Sequence, residues 1–214
     1  MSNTLYVAKQ YLLILLKARG YDIGDEEKYL NMKLNEFKRE INSELEDNPK
    51  ETIHTLFSGN YRSPNGNTCL VKFASKGSGS QVGKGSIEDF LIDLNDYGIN
   101  DEAIIVADAN LSVNANALVK NVKNVYLQVF KEEELTYNPN DRVDVPKHQK
   151  LTEEEASEVL LELGVQRFQL DQATTEDAII KYYGWRPGSI IMIERVEKYL
   201  NVMVPKTIAY RVVI

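Results

Sequence analysis

Residues 103–107 form an unbroken apolar run, Ala-Ile-Ile-Val-Ala. A strand with one face in water alternates apolar and polar residues, whereas a strand covered on both faces is apolar throughout. The run therefore predicts a central strand in a small sheet that carries helices on its faces.

Amphipathic and turn patterns on both sides of this run predict the remaining elements of the first 140 residues. The Ser112 hydroxyl is placed to act as the N-cap of a short helix. The predicted elements are helices over 5–16, 29–41, 87–98 and from 112, a polar connector over 43–50, and strands at 52–57, 68–73 and 125–130.

The chain changes character after about residue 140, where Asn138-Pro139-Asn140-Asp141 marks a break. Thr152 and Glu155 have the spacing of a capping box, and Gly164 is placed to end the helix that the box begins. A second helix is expected to end at Gly184, and strands are expected at 189–194 and 207–214. We predict two domains, 1–140 and 141–214, in a fold of the α+β or α/β class.

The charge balance argues against an autonomous DNA- or RNA-binding domain. The chain has 25 Lys and Arg against 32 Asp and Glu in 214 residues, a formal net charge of −7. A protein that neutralises phosphates by itself is normally basic. Residues 141–214 carry 12 acidic and 10 basic side chains, which leaves 20 and 15 for residues 1–140. Neither half is therefore a basic module.

The counts also bear on compartment and metal binding. Cys69 is the single cysteine, so no internal disulfide can form, and the pattern contains no Cys/His metal cluster. The apolar run at 11–16 is far shorter than the roughly 20 residues of a membrane span. A secretory signal pattern is missing at the start. We expect a cytosolic or nuclear protein in a reducing compartment, with no disulfide, metal, cofactor or membrane contact.

Candidate catalytic patterns all have a simpler interpretation. The glycine-rich segment 77–85 lacks the hydroxyl residue after Gly-Lys that a P-loop needs for magnesium, so we predict a flexible loop there. A restriction-type nuclease needs a carboxylate two positions before a strand Lys, and Leu70 stands before Lys72. His54, expected in a strand, and His148, in a loop, lack a nearby nucleophile. We therefore predict no catalytic residue.

Motifs in the second half occur in a recognisable order. Val145-Pro146-Lys147-His148 precedes Leu151-Thr152-Glu153-Glu154-Glu155, and residues 182–189 read Tyr-Tyr-Gly-Trp-Arg-Pro-Gly-Ser. Glu194-Arg195 and Tyr210-Arg211-Val212-Val213 follow. This succession resembles the "VPEH…LTxEE" motif, the "YYGxxxG" turn and the closing strands of the fifth subunit of eukaryotic RNA polymerases and of its archaeal homologue.

The first half is similar to the N-terminal jaw domain that eukaryotic members of that family have and archaeal members lack. The matching segments are Arg19-Gly20-Tyr21, Gln81-Val82-Gly83, 103–106 and 130–135. The resemblance thus implies a jaw domain with a small mixed sheet flanked by helices, followed by a compact α+β assembly domain.

The function implied by this resemblance is that of a shared, non-catalytic subunit of DNA-directed RNA polymerase. The second domain would dock on the largest subunit near the lower jaw, and the first would project towards downstream duplex DNA, which the chain alone would bind weakly. Ser112 and Asn114 would lie near that DNA. Arg186 and Arg211 would form bidentate pairs with partner carboxylates. The implied docking residues are Pro146, His148, Tyr183, Gly184, Arg186, Gly188, Arg195, Tyr210 and Arg211.

Departures from the family pattern leave the source open. Asp177-Ala178 replaces the family's "DP", Ser112-Val113-Asn114-Ala115 replaces its "Thr-Pro-Ser-Ala", and Val202-Met203-Val204-Pro205 stands where its "Ser-Glu-Thr" loop belongs. The resemblance implies a nuclear protein if the source is cellular, and the virion and host cytoplasm if it is a large DNA virus. The alternatives are a stand-alone nuclease-like enzyme that processes nucleic acids and an adaptor outside the polymerase.

Overall fold

The computed structural model describes residues 3–195, 198–199, 202–203 and 207–214, and it divides into two compact units, Met1–Tyr137 and Asn138–Ile214. The predicted domain boundary was 140/141. None of the helices in the described part of the chain is long and apolar enough to cross a membrane.

The first unit contains five α-helices and four strands in its described residues. The helices are α1 Asn3–Ala18, α2 Leu34–Asp47, α3 Ile53–Phe57, α4 Lys84–Asp96 and α5 Val113–Asn121, with 3₁₀ turns at Gly24–Asn31 and Glu132–Leu135. The strands are β1 Gly59–Arg62, β2 Thr68–Ala74, β3 Glu102–Ala107 and β4 Tyr126–Lys131.

The sheet of this unit has the order β1-β2-β3-β4, with β1 antiparallel to β2 and the other three strands parallel. Every residue of β3 is buried, which confirms the central strand predicted from the apolar run. Ala103, Ile105 and Ala107 pack with residues of α4 and α5. On the other face Phe73 meets Phe57 of α3 edge to face, with ring centroids 5.5 Å apart. Helices therefore cover both faces.

Two predictions for this unit are wrong. Residues 53–57 form helix α3 where a strand was expected, because Ile53 and Phe57 are buried four positions apart on one helical face. The Thr52 hydroxyl caps this helix by accepting the Thr55 amide at 3.2 Å. His54, predicted in a strand, is half-buried in α3. Helix α2 also continues to Asp47, through much of the predicted connector.

The predicted flexible loop at 77–85 is shorter than expected. Lys84 and Gly85 already belong to the first turn of α4. Val82 is buried, and its backbone amide donates to the Asn110 carbonyl at 3.0 Å. A backbone pairing with the loop after β3 thus holds the end of this segment in place.

The second unit has two helices and a four-stranded sheet in its described residues, plus a short hairpin. The helices are α6 Glu153–Leu163 and α7 Ala178–Tyr183, with 3₁₀ turns at Pro139–Asp141 and Arg167–Gln169. The strands are β5 Lys147–Lys150, β6 Asp171–Ala173, β7 Ile190–Arg195, β8 Lys198–Tyr199, β9 Val202–Met203 and β10 Thr207–Val213. Val204 and Pro205, part of the predicted departure from the family, lie outside the described residues.

The main sheet of the second unit has the order β5-β7-β10-β6 and lies between two apolar clusters. Ile191 and Ile193 pack with α7 on one face, and Ile190 packs with α6 on the other. The capping box of Thr152 and Glu155 is confirmed. The predicted α+β fold is correct, although the short edge strands β5 and β6 were missed.

Candidate functional site

Four of the nine predicted docking residues lie at the end of α7 or in the turn between α7 and β7. The Asp177 carboxylate begins α7 by accepting the Ile179 amide at 2.9 Å. Gly184 ends the helix in the left-handed conformation, with φ of 64°. Its side-chain-free backbone tolerates this conformation, which a residue with a Cβ adopts only at a cost. Tyr183 and Arg186 therefore flank a sharp change of chain direction.

An aromatic stack lies along this turn. The ring of Tyr183 is nearly parallel to that of Trp185, with centroids 4.8 Å apart, and meets Tyr182 edge to face at 5.0 Å. Tyr182 is buried, whereas Tyr183 and Trp185 are each half-buried. The Tyr183 hydroxyl also lies 3.4 Å from the Asn140 amide oxygen, to which it donates. The stack thus contributes to the core and keeps aromatic surface accessible.

Gly188 ties the end of the turn to two other elements. Its φ is 89°, and its amide donates to the Val213 carbonyl at 2.9 Å. Its carbonyl accepts from Arg167 Nη1 at 2.5 Å. Arg167 Nη2 also lies 2.6 Å from Glu153 Oε2, and this hydrogen bond holds the pKa of the Glu153 carboxyl below its usual range. Arg167 was not among the predicted docking residues, because only the tertiary fold brings it to the turn.

Strand register separates the docking residues on the sheet. His148 lies opposite Ile193, and Arg211 lies opposite Ile191, so both project from the face that packs with α7. Tyr210 lies opposite Met192 and packs with it in the α6 cluster. The structure therefore places His148 and Arg211 on one face of the sheet and Tyr210 on the other.

The two remaining docking residues are Pro146, which directly precedes β5, and Arg195, which ends β7. The His148 imidazole Nδ1 is 2.8 Å from the carbonyl oxygen of Pro146, which fixes the ring over the start of β5. Arg195 is the exposed last residue of β7. The backbone of strands β5 and β7 therefore sets the positions of Pro146, His148 and Arg195.

Arg211 has the chemistry of a binding group. Its side chain is half-buried, and its Nε is buried without a hydrogen-bond partner among the described residues. A buried donor left unpaired costs free energy, and because this nitrogen is not exposed, only the other two guanidinium nitrogens can face a partner. Arg186 is exposed in the α7–β7 turn.

The two residues predicted near DNA lie in the first unit. The Ser112 hydroxyl accepts the Ala115 amide at 3.3 Å and so caps α5, as predicted. Asn114 is exposed in the first turn of the same helix. Ser112 thus has a structural role, and of the two only Asn114 presents an exposed side chain. The described part of the chain contains no group of three or more metal-ligating side chains close enough to hold a metal ion.

Comparisons with known proteins give a consistent result. The family described as "RNA polymerase Rpb5, C-terminal domain" matches residues 137–213. The chain is 26% identical over 212 residues to DNA-directed RNA polymerase V subunit 5A of Arabidopsis thaliana, covering 99% of this chain and 89% of that protein. It is 33% identical over 118 residues to DNA-directed RNA polymerases I, II, and III subunit rpabc1 of Dictyostelium discoideum, covering 54% of this chain and 59% of that protein.

Proposed function

Because the chain is a member of the fifth-subunit family of DNA-directed RNA polymerases through residues 137–213, we propose that it works as a non-catalytic subunit of such a polymerase. The observation that carries this proposal is the match of the family to almost the whole second unit, 138–214. The resemblance inferred from the motifs of the second half agrees with that match.

The second unit is proposed to dock on the largest subunit of the polymerase. The α7-side surface, defined as Tyr183, His148, Arg195 and Arg211, would provide the contacts. It combines accessible aromatic area with guanidinium groups, the residue types that dominate protein interfaces. Arg211 would pair with a partner carboxylate through its guanidinium nitrogens other than the buried Nε. Pro146, Gly184, Arg186 and Gly188 would shape the edge of this surface.

The first unit is proposed to lie in the lower jaw, near downstream duplex DNA. Residues 1–140 carry 15 basic side chains against 20 acidic ones. Such a unit cannot bind phosphates strongly by counterion release alone. Its contact with DNA would therefore be weak and would depend on the assembled polymerase. Nucleotidyl transfer would belong to other subunits, and a nuclear location follows for a cellular polymerase.

The test is recovery of the polymerase with the tagged full-length chain. We expect the two largest polymerase subunits to copurify with the natural sequence. Arg211→Ala should reduce their recovery, because partner carboxylates would lose a bidentate donor. Arg142→Ala serves as the matched control, since Arg142 is an exposed arginine of the same unit that pairs with Asp144.

Three results would count against parts of the proposal. Failure of the unaltered chain to recover the large subunits would remove the polymerase assignment. Equal loss with Arg211→Ala and Arg142→Ala would leave the assignment but remove the α7-side surface as the docking site. Divalent-metal-dependent cleavage of nucleic acid by the purified chain would favour the nuclease-like alternative.

A further inference from the structure

A cleft of about 910 Å³ opens in the first unit at the carboxyl ends of the three parallel strands. Lys76 follows β2, Asp108 follows β3 and Glu132 follows β4, and all three line the cleft. Residues of α1, α2 and α3 complete the lining, and among the apolar ones Leu45 of α2 is half-buried, whereas Leu5 and Ile53 are almost fully buried. The carboxyl edge of a sheet is where α/β proteins bind ligands, and this volume is within the usual range for small-molecule sites.

The inner part of the cleft is formed by two carboxyl groups and an imidazole. Asp108, Glu132 and His54 are each half-buried. The Asp108 carboxylate is held in place, because it accepts the Ser75 hydroxyl at 3.0 Å and the Lys76 amide at 2.8 Å. The lining of the cleft therefore contains a preorganised acceptor group.

Negative charge in this inner part is incompletely compensated. Burial raises the pKa of Glu132, repulsion by Asp108 and Glu133 raises it further, and Lys76 opposes the shift. Burial also lowers the pKa of His54, although Asp108 acts in the other direction, so burial disfavours a positive charge on this imidazole. The exposed charged side chains that line the cleft are two acidic groups, Glu51 and Glu133, and two basic ones, Lys76 and Lys131. A cation would relieve the repulsion inside.

We propose that this cleft binds an organic cation, a guanidinium or alkylammonium group on an apolar stem. Asp108 and Glu132 would accept its N–H groups, and the half-buried Leu45 would pack against the stem. A bare metal ion fits less well, since it needs oxygens within about 2.0–2.6 Å of one point. The described residues contain no cluster of ligands that close. The cation could be a basic side chain of another polypeptide or a free polyamine.

The two histidines of the chain allow a direct test on the unaltered protein. His54 lines the cleft and His148 lies in β5 of the other unit. Proton NMR at pH 7 would follow both imidazole Cε1 signals, assigned with a His148→Gln variant. The full-length chain would be titrated with spermidine, with the capped tripeptide acetyl-Gly-Arg-Gly-amide, and with sodium and magnesium chloride at matched ionic strength.

We expect a saturable shift of the His54 signal with spermidine or the tripeptide, and an unchanged His148 signal. Tighter binding of the tripeptide would assign the cation to a polypeptide side chain, and tighter binding of spermidine would assign it to a free polyamine. The proposal is overturned if neither organic cation moves the His54 signal, if both histidines respond equally, or if only magnesium produces the shift.

A pair of carboxyl variants tests the residues. Glu132→Gln should raise the dissociation constant about tenfold, the effect of losing one charge-assisted hydrogen bond. Glu162→Gln removes the same charge from an exposed position in α6 and should leave the constant unchanged. Equal constants for the two variants would overturn the assignment. Neither result depends on polymerase assembly, so failure here and failure of the proposed function are distinguishable.

Discussion

Replacing Lys9 by Met should destabilise the first unit far more than the same change at Lys17. Lys9 lies in α1 with only 1% of its side chain exposed, and its Nζ is 2.5 Å from Glu26 Oε1. The ammonium also donates to the Phe57 carbonyl at 3.0 Å and to the Tyr61 hydroxyl at 2.9 Å. Methionine fills a similar volume but leaves these acceptors without their donor.

The expected cost follows from how deeply the pair is buried. Removing one partner of a buried ion pair typically costs about 3–5 kcal/mol, because the other charge stays desolvated. Glu26 is 28% exposed and still accepts the Tyr61 hydroxyl at 2.6 Å, so water and that hydrogen bond offset part of the loss. We therefore expect about 3 kcal/mol, at the lower end of that range.

Lys17 provides the matched control. It lies in the same helix and pairs with Glu27, but the two side chains are 55% and 62% exposed. Exposed pairs of this kind contribute about 0–1 kcal/mol. The double variant Lys9→Met/Glu26→Gln should recover part of the loss, because it no longer leaves an uncompensated charge.

The Cys69 thiol gives an assay specific to the first unit. Cys69 is the single cysteine and is fully buried in β2, so a thiol reagent reaches it only when this unit opens. A loss of about 3 kcal/mol should raise the labelling rate roughly hundredfold when opening is fast relative to labelling. Equal labelling rates for Lys9→Met and Lys17→Met would refute the reasoning about burial.

Three other changes test local features. Thr152→Ala should lower the free energy of unfolding by about 1 kcal/mol, because it removes the N-cap of α6. The control Ser157→Ala, at an exposed position of the same helix, should change it by no more than about 0.5 kcal/mol. Urea unfolding followed by Trp185 fluorescence measures both. Gly188→Ala should cost about 1–2 kcal/mol in the same assay, since its φ of 89° is strained for a residue with a Cβ. Burial raises the pKa of the Cys69 thiol to about 12, because it disfavours the charged thiolate. The protonated thiol's contribution to the free energy of unfolding should therefore be fully present below the ordinary thiol pKa and be lost as the pH rises towards 12. Urea midpoints that do not change with pH across that range would contradict this.

Features set by neighbouring residues could be predicted from the sequence. The capping box at Thr152, the N-cap at Ser112 and the end of α7 at Gly184 depend on contacts within about four positions. The central strand followed from an apolar run that only a doubly covered strand explains. The order and spacing of these local patterns also carried the family resemblance.

Residues 52–57 show where such reasoning fails. Their apolar and β-branched content suits a strand, but the segment is helical and buries Ile53 and Phe57, and Phe57 packs on Phe73 of β2. The candidate docking surface was affected in the same way. Nine residues were predicted together, and strand register then placed Tyr210 on the face opposite His148 and Arg211.

The sequence by itself thus determined the local elements, their caps and the family of the second unit, because these depend on short-range hydrogen bonds and on the order of motifs. Only the tertiary structure decided which side chains share a surface. Arg167 reaching the carbonyl of Gly188, Lys9 reaching Glu26, and Asp108 lining a cleft with Glu132 join residues 17 to 24 positions apart. Such contacts are set by strand register and helix packing, to which no short stretch of sequence is sensitive.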